Sequence, residues 1–399
     1  MPGSSPMRTA LRAWLAARFT PDTAAAVAPP VTDASFEAHR RWNAELYDAG
    51  WAAVAWPAEY GGRDADLGGQ LAVAEELAAA GAPGSVNAIG VANIAPAIMA
   101  VGTPEQRERF LRPMLRGDEI WCQGMSEPDA GSDLAALRCR AELHGDHFVV
   151  NGQKTWNSNG DRAHWCQLYV RTDANASRHR GISCLLVDMG SPGIEVRPIR
   201  TMAGDAGFAD VFFHDVRVPA DALLGALHEG WAVATRTLSN ERAGVAVLAL
   251  QRRRKLDRLI EQATRVRHDG RRPADDARIR AAIAECYVDA RILEFLAHRT
   301  LGAARAGRQP GAEGSVIKLA WSLGDQRLAD VAVDVAGIET VAAKAPAVAA
   351  RELLASRSLT IAGGTTEVNR TIIGERVLGL PKEPEVDRDI PFRQVKAGI

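Results

Sequence analysis

The chain reads as an α+β protein: an N-terminal helical domain, then a small central β-domain, then a C-terminal helical bundle. Three observations predict this order. Helical spacing of apolar residues runs from Met7 to about Leu115, short strand-like segments follow up to Pro219, and helical periodicity returns after Gly230 and holds to about Arg376. Domain boundaries are accordingly placed at 1–117, 118–225 and 226–399. At 399 residues the chain is long enough for two or three packed domains.

Residues 1–6 form a Pro/Gly/Ser tail. In the first domain, alanine-rich or charged helical stretches such as 71–80 and 104–115 are separated by turns at 57–62 and 81–84. The texture changes near 118. Phe148-Val149-Val150 before Asn151-Gly152 reads as a strand entering a tight hairpin, because Asn-Gly accepts the positive φ angles of a primed turn. Further strands are expected at 168–171, 182–188, 194–199 and 211–218, closed by Pro219. In the last domain, loops are expected at 268–274 and 307–314.

Composition excludes several function classes. A hydrophobic share of 47% and a charged share of 24% are those of an ordinary soluble protein. The formal charge of −1 favours neither nucleic acid nor an anionic membrane as partner. Five cysteines without a CxxC pair argue against a disulfide framework and against a zinc site; no metal is expected. With no signal peptide and no 18-residue apolar run, the expected location is cytoplasmic.

Two segments carry chemistry. The run from Trp121 to Asp133 contains a turn built from Pro128, Gly131 and Ser132, whose hydroxyls and amides suit a phosphate or the edge of a flavin ring. The second, Trp156-Asn157-Ser158-Asn159-Gly160, starts 23 residues after Asp133 and sets a large aromatic beside a turn, where it can lie on a planar heterocycle. Taken singly, the first is a surface turn as readily as a site, and Trp156 a core residue. Other features are plainer. The histidines show no metal spacing, and the basic run 252–255 reads as a solvated helix face.

In this order and with this gap, the two segments resemble the flavin-binding signatures of the acyl-CoA dehydrogenase family. The resemblance extends over Asp215-Val216-Arg217-Val218-Pro219, Gly230-Trp231, Asn240-Glu241-Arg242 and the run from Gly363 to Arg370 that leads to Pro381. It is closest to a bacterial branch with a Gly-Gly-Thr form of the late motif and a Gly-Arg-Pro loop, some of whose members handle sterol side chains or secondary metabolites. The resemblance implies an α–β–α fold and an FAD cofactor. Gln123, Met125, Ser126, Gly131 and Ser132 would contact flavin, with Ser126 at the ring edge and Ser132 near substrate and pyrophosphate. Trp156 would cover one ring face, the Ser158 amide would approach N5, and Thr365, Thr366 and Glu367 match the late flavin-contact segment. Ser132, Ser239, Asn240, Arg242, Gly363 and Gly364 are the expected substrate contacts.

Desaturating a thioester needs a base for the α-proton, an acceptor for the β-hydride and donors for the developing enolate oxygen. Side chains accept no hydride, so a flavin is implied. Many members of the family place the catalytic glutamate directly before the late Gly-Thr, where this chain has Gly363. A second group places it on a C-terminal-domain helix before an arginine, which Glu241-Arg242 matches. Leu238, Glu241, Val245 and Leu248 share one helix face, and a carboxylate within an apolar stripe is costly unless paired, protonated or used. Desolvation there would raise its pKa and improve it as a base. The alternative role for Glu241 is a structural salt bridge.

Two loops depart from the family pattern. Where typical members have an Arg-x-x-Phe-Gly loop reaching a neighbouring subunit's flavin, 268–274 reads His-Asp-Gly-Arg-Arg-Pro-Ala. The Gln and Gly pair that hold the adenosine end correspond to 334–338, Asp-Val-Ala-Gly-Ile. The expectation is an FAD-dependent desaturase of an acyl-CoA or acyl-carrier-protein thioester, oxidised by an electron-transfer flavoprotein, with Glu241 as base. Its expected assembly is a homotetramer, or a heterotetramer with a related subunit, because apolar stretches such as 316–321 and 328–335 exceed what one small bundle buries. The competing readings are a flavin oxidase or monooxygenase on the same fold, and a non-catalytic subunit completing a partner's site.

Overall fold

A computed structural model describes residues 6–28, 31–240, 245–306, 311–342, 348–384 and 389–395. The chain forms two compact units, the first comprising Met1–Thr201, Ala206–Glu241 and Pro384–Ile399, the second Met202–Asp205 and Arg242–Glu383.

In the first unit, helices α1 (Pro6–Arg18), α2 (Pro21–Ala26), α3 (Asp33–Asp48), α4 (Leu67–Ala80), α5 (Ala95–Val101) and α6 (Pro104–Arg116) precede the sheet. Their ends carry the expected chemistry. Thr32 and Thr103 close capping boxes, Asp66 caps α4, and Gly81 and Gly117 end α4 and α6 in the left-handed region.

The β region comprises β1 (Trp121–Gly124), β2 (Arg140–His144), β3 (His147–Ser158), β4 (Trp165–Arg171), β5 (Ile182–Asp188), β6 (Ile194–Ile199) and β7 (Phe208–Pro219). Among the described residues these form a seven-stranded sheet in the order β1-β4-β2-β3-β7-β6, with β5 on β4. β1, β4 and β5 are buried on both faces, and their alternation separates two cores. Trp121, Tyr169, Ile182, Cys184 and Leu186 join α5, α6 and the helix α7 (Gly230–Asn240) in one. Cys122, Cys166, Leu168, Leu185 and Val187 join β2, β3 and β7 in the other.

The hairpin expected at Asn151-Gly152 is not there. β2 and β3 are joined by Gly145-Asp146, with Gly145 at φ 63, and β3 continues through Asn151. Asn151 instead pairs with Asp215 across a bulge: its Nδ2 donates to Asp215 Oδ1 (2.9 Å) and its Oδ1 accepts from Asp215 N (3.0 Å). Gly152, at φ 148, lets β3 pass so close to Cys139 that an added Cβ would lie 2.6 Å from Cys139 Cα. The Asn-Gly pair marks a close backbone approach. β1 was likewise hidden in what reads as one long turn.

The C-terminal tail returns to this unit. Phe392 N and Arg393 N donate to Ala176 O and Ala174 O, and the Phe392 ring lies 3.8 Å under the guanidinium of buried Arg171.

The second unit contains α8 (Val245–Arg265), α9 (Ala277–Arg305), α10 (Gly314–Ala336), α11 (Glu339–Ala342), α12 (Val348–Ser356) and α13 (Thr366–Ile372). Its core joins Leu256, Leu259, Cys286, Ala290, Leu328, Val331 and Val335. The stretch 328–335 is thus largely spent inside the bundle. Arg252 also corrects the expected solvated face: it is buried, and Asp325 Oδ1 accepts from its Nε at 2.8 Å. Gly324 makes room for it, since a Cβ there would sit 2.1 Å from the guanidinium.

No helix among the described residues is long and apolar enough to cross a membrane.

Candidate flavin and thioester site

β3 brings the two signature segments together. Lys154 Nζ donates to Met125 O at 3.0 Å and to Glu127 Oε1 at 2.8 Å, while Thr155 N donates to Ser126 O at 2.9 Å. The loop after β1 is therefore laid along β3 just before Trp156. Its tip is closed by Glu127 and Ala130, whose amides and carbonyls exchange hydrogen bonds of 3.1 Å around Pro128-Asp129. Gly131 and Ser132 follow on the surface, and their amides donate to no protein acceptor among the described residues. A Cβ at Gly131 would meet nothing within 4 Å. Open amides at a turn fit an anionic group such as a pyrophosphate.

Trp156 is placed by a backbone irregularity. Between the pairs Lys154↔Val211 and Asn157↔Ala209, β3 holds one residue more than β7, and Trp156 takes φ 59 in that bulge. A non-glycine residue there costs on the order of 1 kcal/mol, held by the surrounding pairing. The extra residue shifts the alternation, so Lys154 and Asn157 are both buried while Trp156 is turned out. Trp156 is 57% exposed, and its ring meets Phe208 edge-on at 5.9 Å. It is not a core tryptophan. Ser158, half-buried, pairs with Phe208, and Gln123 Nε2 donates to Gln167 Oε1 at 2.9 Å. The exposed indole and free amides fit a planar ring with a phosphate tail.

In the second unit, the late motif is a hydrogen-bonded loop. Gly363 and Gly364 take φ 66 and 88, a conformation suited to glycine. Gly364 O accepts from Lys318 Nζ (2.5 Å) and from Asn369 Nδ2 (2.9 Å). Thr365 caps α13, its hydroxyl accepting from Val368 N at 3.1 Å. Thr366 is buried with its hydroxyl unpaired among the described residues, and Glu367 is exposed. Sequence reasoning did not find Lys318, which has no motif around it. Glu241 and Arg242 lie outside the described residues, as do the side chains of Ser239 and Asn240. Of the shared face expected of Leu238, Glu241, Val245 and Leu248, Leu248 alone has a described side chain.

The variant loop at 268–274 forms a tight turn. His268 and Arg271 exchange backbone hydrogen bonds around Asp269 and Gly270, at φ 48 and 80, and the His268 ring nitrogen Nε2 bonds Val335 O at 2.9 Å.

Comparison with known proteins decides the family. Residues 5–118, 122–216 and 228–378 match the acyl-CoA dehydrogenase N-terminal, middle and C-terminal domains. The chain is 40% identical to acyl-CoA dehydrogenase IpdE1 of Mycobacterium tuberculosis, over 94% of this chain and 97% of that one. It belongs to the acyl-CoA dehydrogenase family. Among solved structures, the ChsE4–ChsE5 complex from Mycobacterium tuberculosis superposes with a TM-score of 0.81 at 32% identity, covering 96% of this chain and 100% of that one. The Tcur3481–Tcur3483 steroid ACAD gives 0.82 at 27%, covering 94% and 97%. As an acyl-CoA dehydrogenase the chain is an oxidoreductase acting on CH–CH bonds with a flavin cofactor.

Proposed function

We propose that this chain is an FAD-dependent dehydrogenase that introduces an α,β double bond into an acyl-CoA thioester. The observation that carries the reading is the junction in the first unit, where the 123–132 loop lies along β3 beside an out-turned Trp156. Gln123, Met125, Ser126, Gly131, Ser132, Trp156 and Ser158 would hold the cofactor there; Thr365, Thr366 and Glu367 are the second unit's proposed flavin contacts. FAD supplies the hydride acceptor when bound. Glu241 takes the α-proton, because Gly363 has no side chain with which to do so. The Gly363 amide donates to the thioester oxygen, and Lys318 fixes the loop that presents it. Similarity to a steroid ACAD favours a bulky, steroid-derived acyl group over a straight chain. An electron-transfer flavoprotein is the proposed oxidant. A carrier-protein thioester is the alternative form of substrate.

The test is anaerobic flavin bleaching on reconstituted protein, using straight-chain acyl-CoA, steroid-side-chain CoA and matching carrier-protein thioesters. Bleaching by the steroid-derived CoA thioester at the highest rate is expected. Failure to retain FAD after reconstitution with excess cofactor would remove the enzyme reading for this chain alone and favour a non-catalytic subunit.

A further inference from the structure

The proposed mechanism leaves the buried ion pair of Lys154 and Glu127 unused. Lys154 is fully buried, and its ammonium meets Glu127 Oε1 and Met125 O. Glu127 is itself buried and accepts from two further amides, Cys139 N on Oε1 (2.8 Å) and Arg138 N on Oε2 (2.6 Å). The carboxylate thus ties the start of the 127–138 loop to its end, and the ammonium ties both to β3 two residues before Trp156.

Such a pair contributes little to net stability. Desolvating two charges offsets most of their attraction, and apolar replacements of whole buried pairs are often neutral. Its distinctive effect here is geometric, because it joins two segments that share no sequence contact. Two neighbours extend the same restraint: Arg171 Nη2 donates to Ala135 O at 2.7 Å, and Arg178 bridges Asp133 at 2.6 Å.

We infer that Lys154 and Glu127 are positioning residues that hold the 123–132 loop and the Trp156 bulge in the arrangement that receives flavin. This rests on the flavin reading of that junction. The pair's hydrogen bonds reach Met125, Arg138 and Cys139, none of them a proposed substrate contact. It acts through Met125, Ser126 and Trp156.

Lys154→Met tests it, since Glu127 keeps its two amide donors and the fold keeps its carboxylate cap. In the apoprotein, hydrogen exchange should accelerate in peptides covering 123–139 and 153–158, including the Thr155 amide that donates to Ser126. FAD affinity should fall by about 10- to 100-fold, the range for losing hydrogen bonds to a charged group. Asn43→Ala is the control, because Asn43 is buried in the same unit and donates to Leu115 O and Arg116 O at the end of α6, not to the 123–132 loop or to β3. It should lower the melting temperature while leaving both readouts unchanged. Unchanged exchange in Lys154→Met would overturn the inference whatever the flavin does. Equal loss of FAD affinity in Asn43→Ala would overturn it as a mere stability effect. Absent FAD binding by the wild type would instead count against the underlying flavin reading.

Discussion

At the scale of single residues, chemistry is assigned by what a side chain lacks as much as by what it has. Gly363 sits at φ 66 at the position that the family resemblance gives to a glutamate in many members, so the proposed reaction takes its base from elsewhere. Glu241→Gln should keep its flavin yet slow thioester-dependent bleaching by at least ~10²-fold, the lower range for general-base catalysis. Near wild-type turnover would reassign the base. Gly363→Glu in that background should restore only part of the rate, because a left-handed side chain costs about 1–2 kcal/mol. Trp156→Ala should weaken FAD binding by on the order of 1–3 kcal/mol, measured by fluorescence titration of the apoprotein. The signature residues were legible because their types are rare in combination: a tryptophan, a Ser/Gly turn, a fixed gap. Lys154, Glu127 and Lys318 were not. A buried lysine and an exposed one look alike in sequence, and only a fold shows which carbonyl each reaches.

At the scale of elements, periodicity located the helices and most strands, since a buried face leaves a repeat of 3.6 or 2 residues. It failed where the backbone departs from the repeat. Asn151-Gly152 has turn chemistry and sits inside β3, and Trp156 changes face through a bulge that no alternation announces. Arg252 was misread because charge on a helix suggests solvent, whereas Asp325 and the absent Cβ of Gly324 draw it in. The pairing of α1 and α4 gives a prediction in pH. Glu76 on α4 is buried beneath Arg12 and Arg8 of α1, and Arg12's hydrogen bond holds its carboxyl below the usual range. A depressed folded pKa contributes stability above the unfolded value, and that stability is lost as pH falls through the folded one. Glu76→Gln should therefore melt lower than wild type at pH 7. The gap should narrow once the pH drops below the ordinary carboxylate value of about 4, as seen in thermal melts across the acid range. A gap constant from neutral to strongly acid pH would mean the ion pair is not its source.

At the scale of the whole molecule, the fold relocates the argument for assembly. The stretches 316–321 and 328–335 were expected to face a partner, yet Ile317, Leu328, Val331 and Val335 lie in the bundle's own core. Among the described residues, one stretch of exposed apolar surface runs along α9. Val288, Ile292 and Phe295, spaced 4 and 3 residues apart, form one stripe, and Phe295 is 58% exposed. A continuous apolar stripe of this kind on a long helix is normally covered by another chain. The occupant proposed is a second copy of this chain or a related subunit. Light scattering at micromolar concentration, with flavin content measured on the same sample, should show an oligomer for the wild type. Val288→Lys with Phe295→Lys should shift it toward monomer, since each lysine would be buried without a partner at a cost of several kcal/mol. If the wild type is an oligomer with half-occupied flavin that fills on adding a related subunit, the mixed assembly is the working form. A monodisperse wild-type monomer with full flavin and full activity would show that α9's stripe is simply exposed.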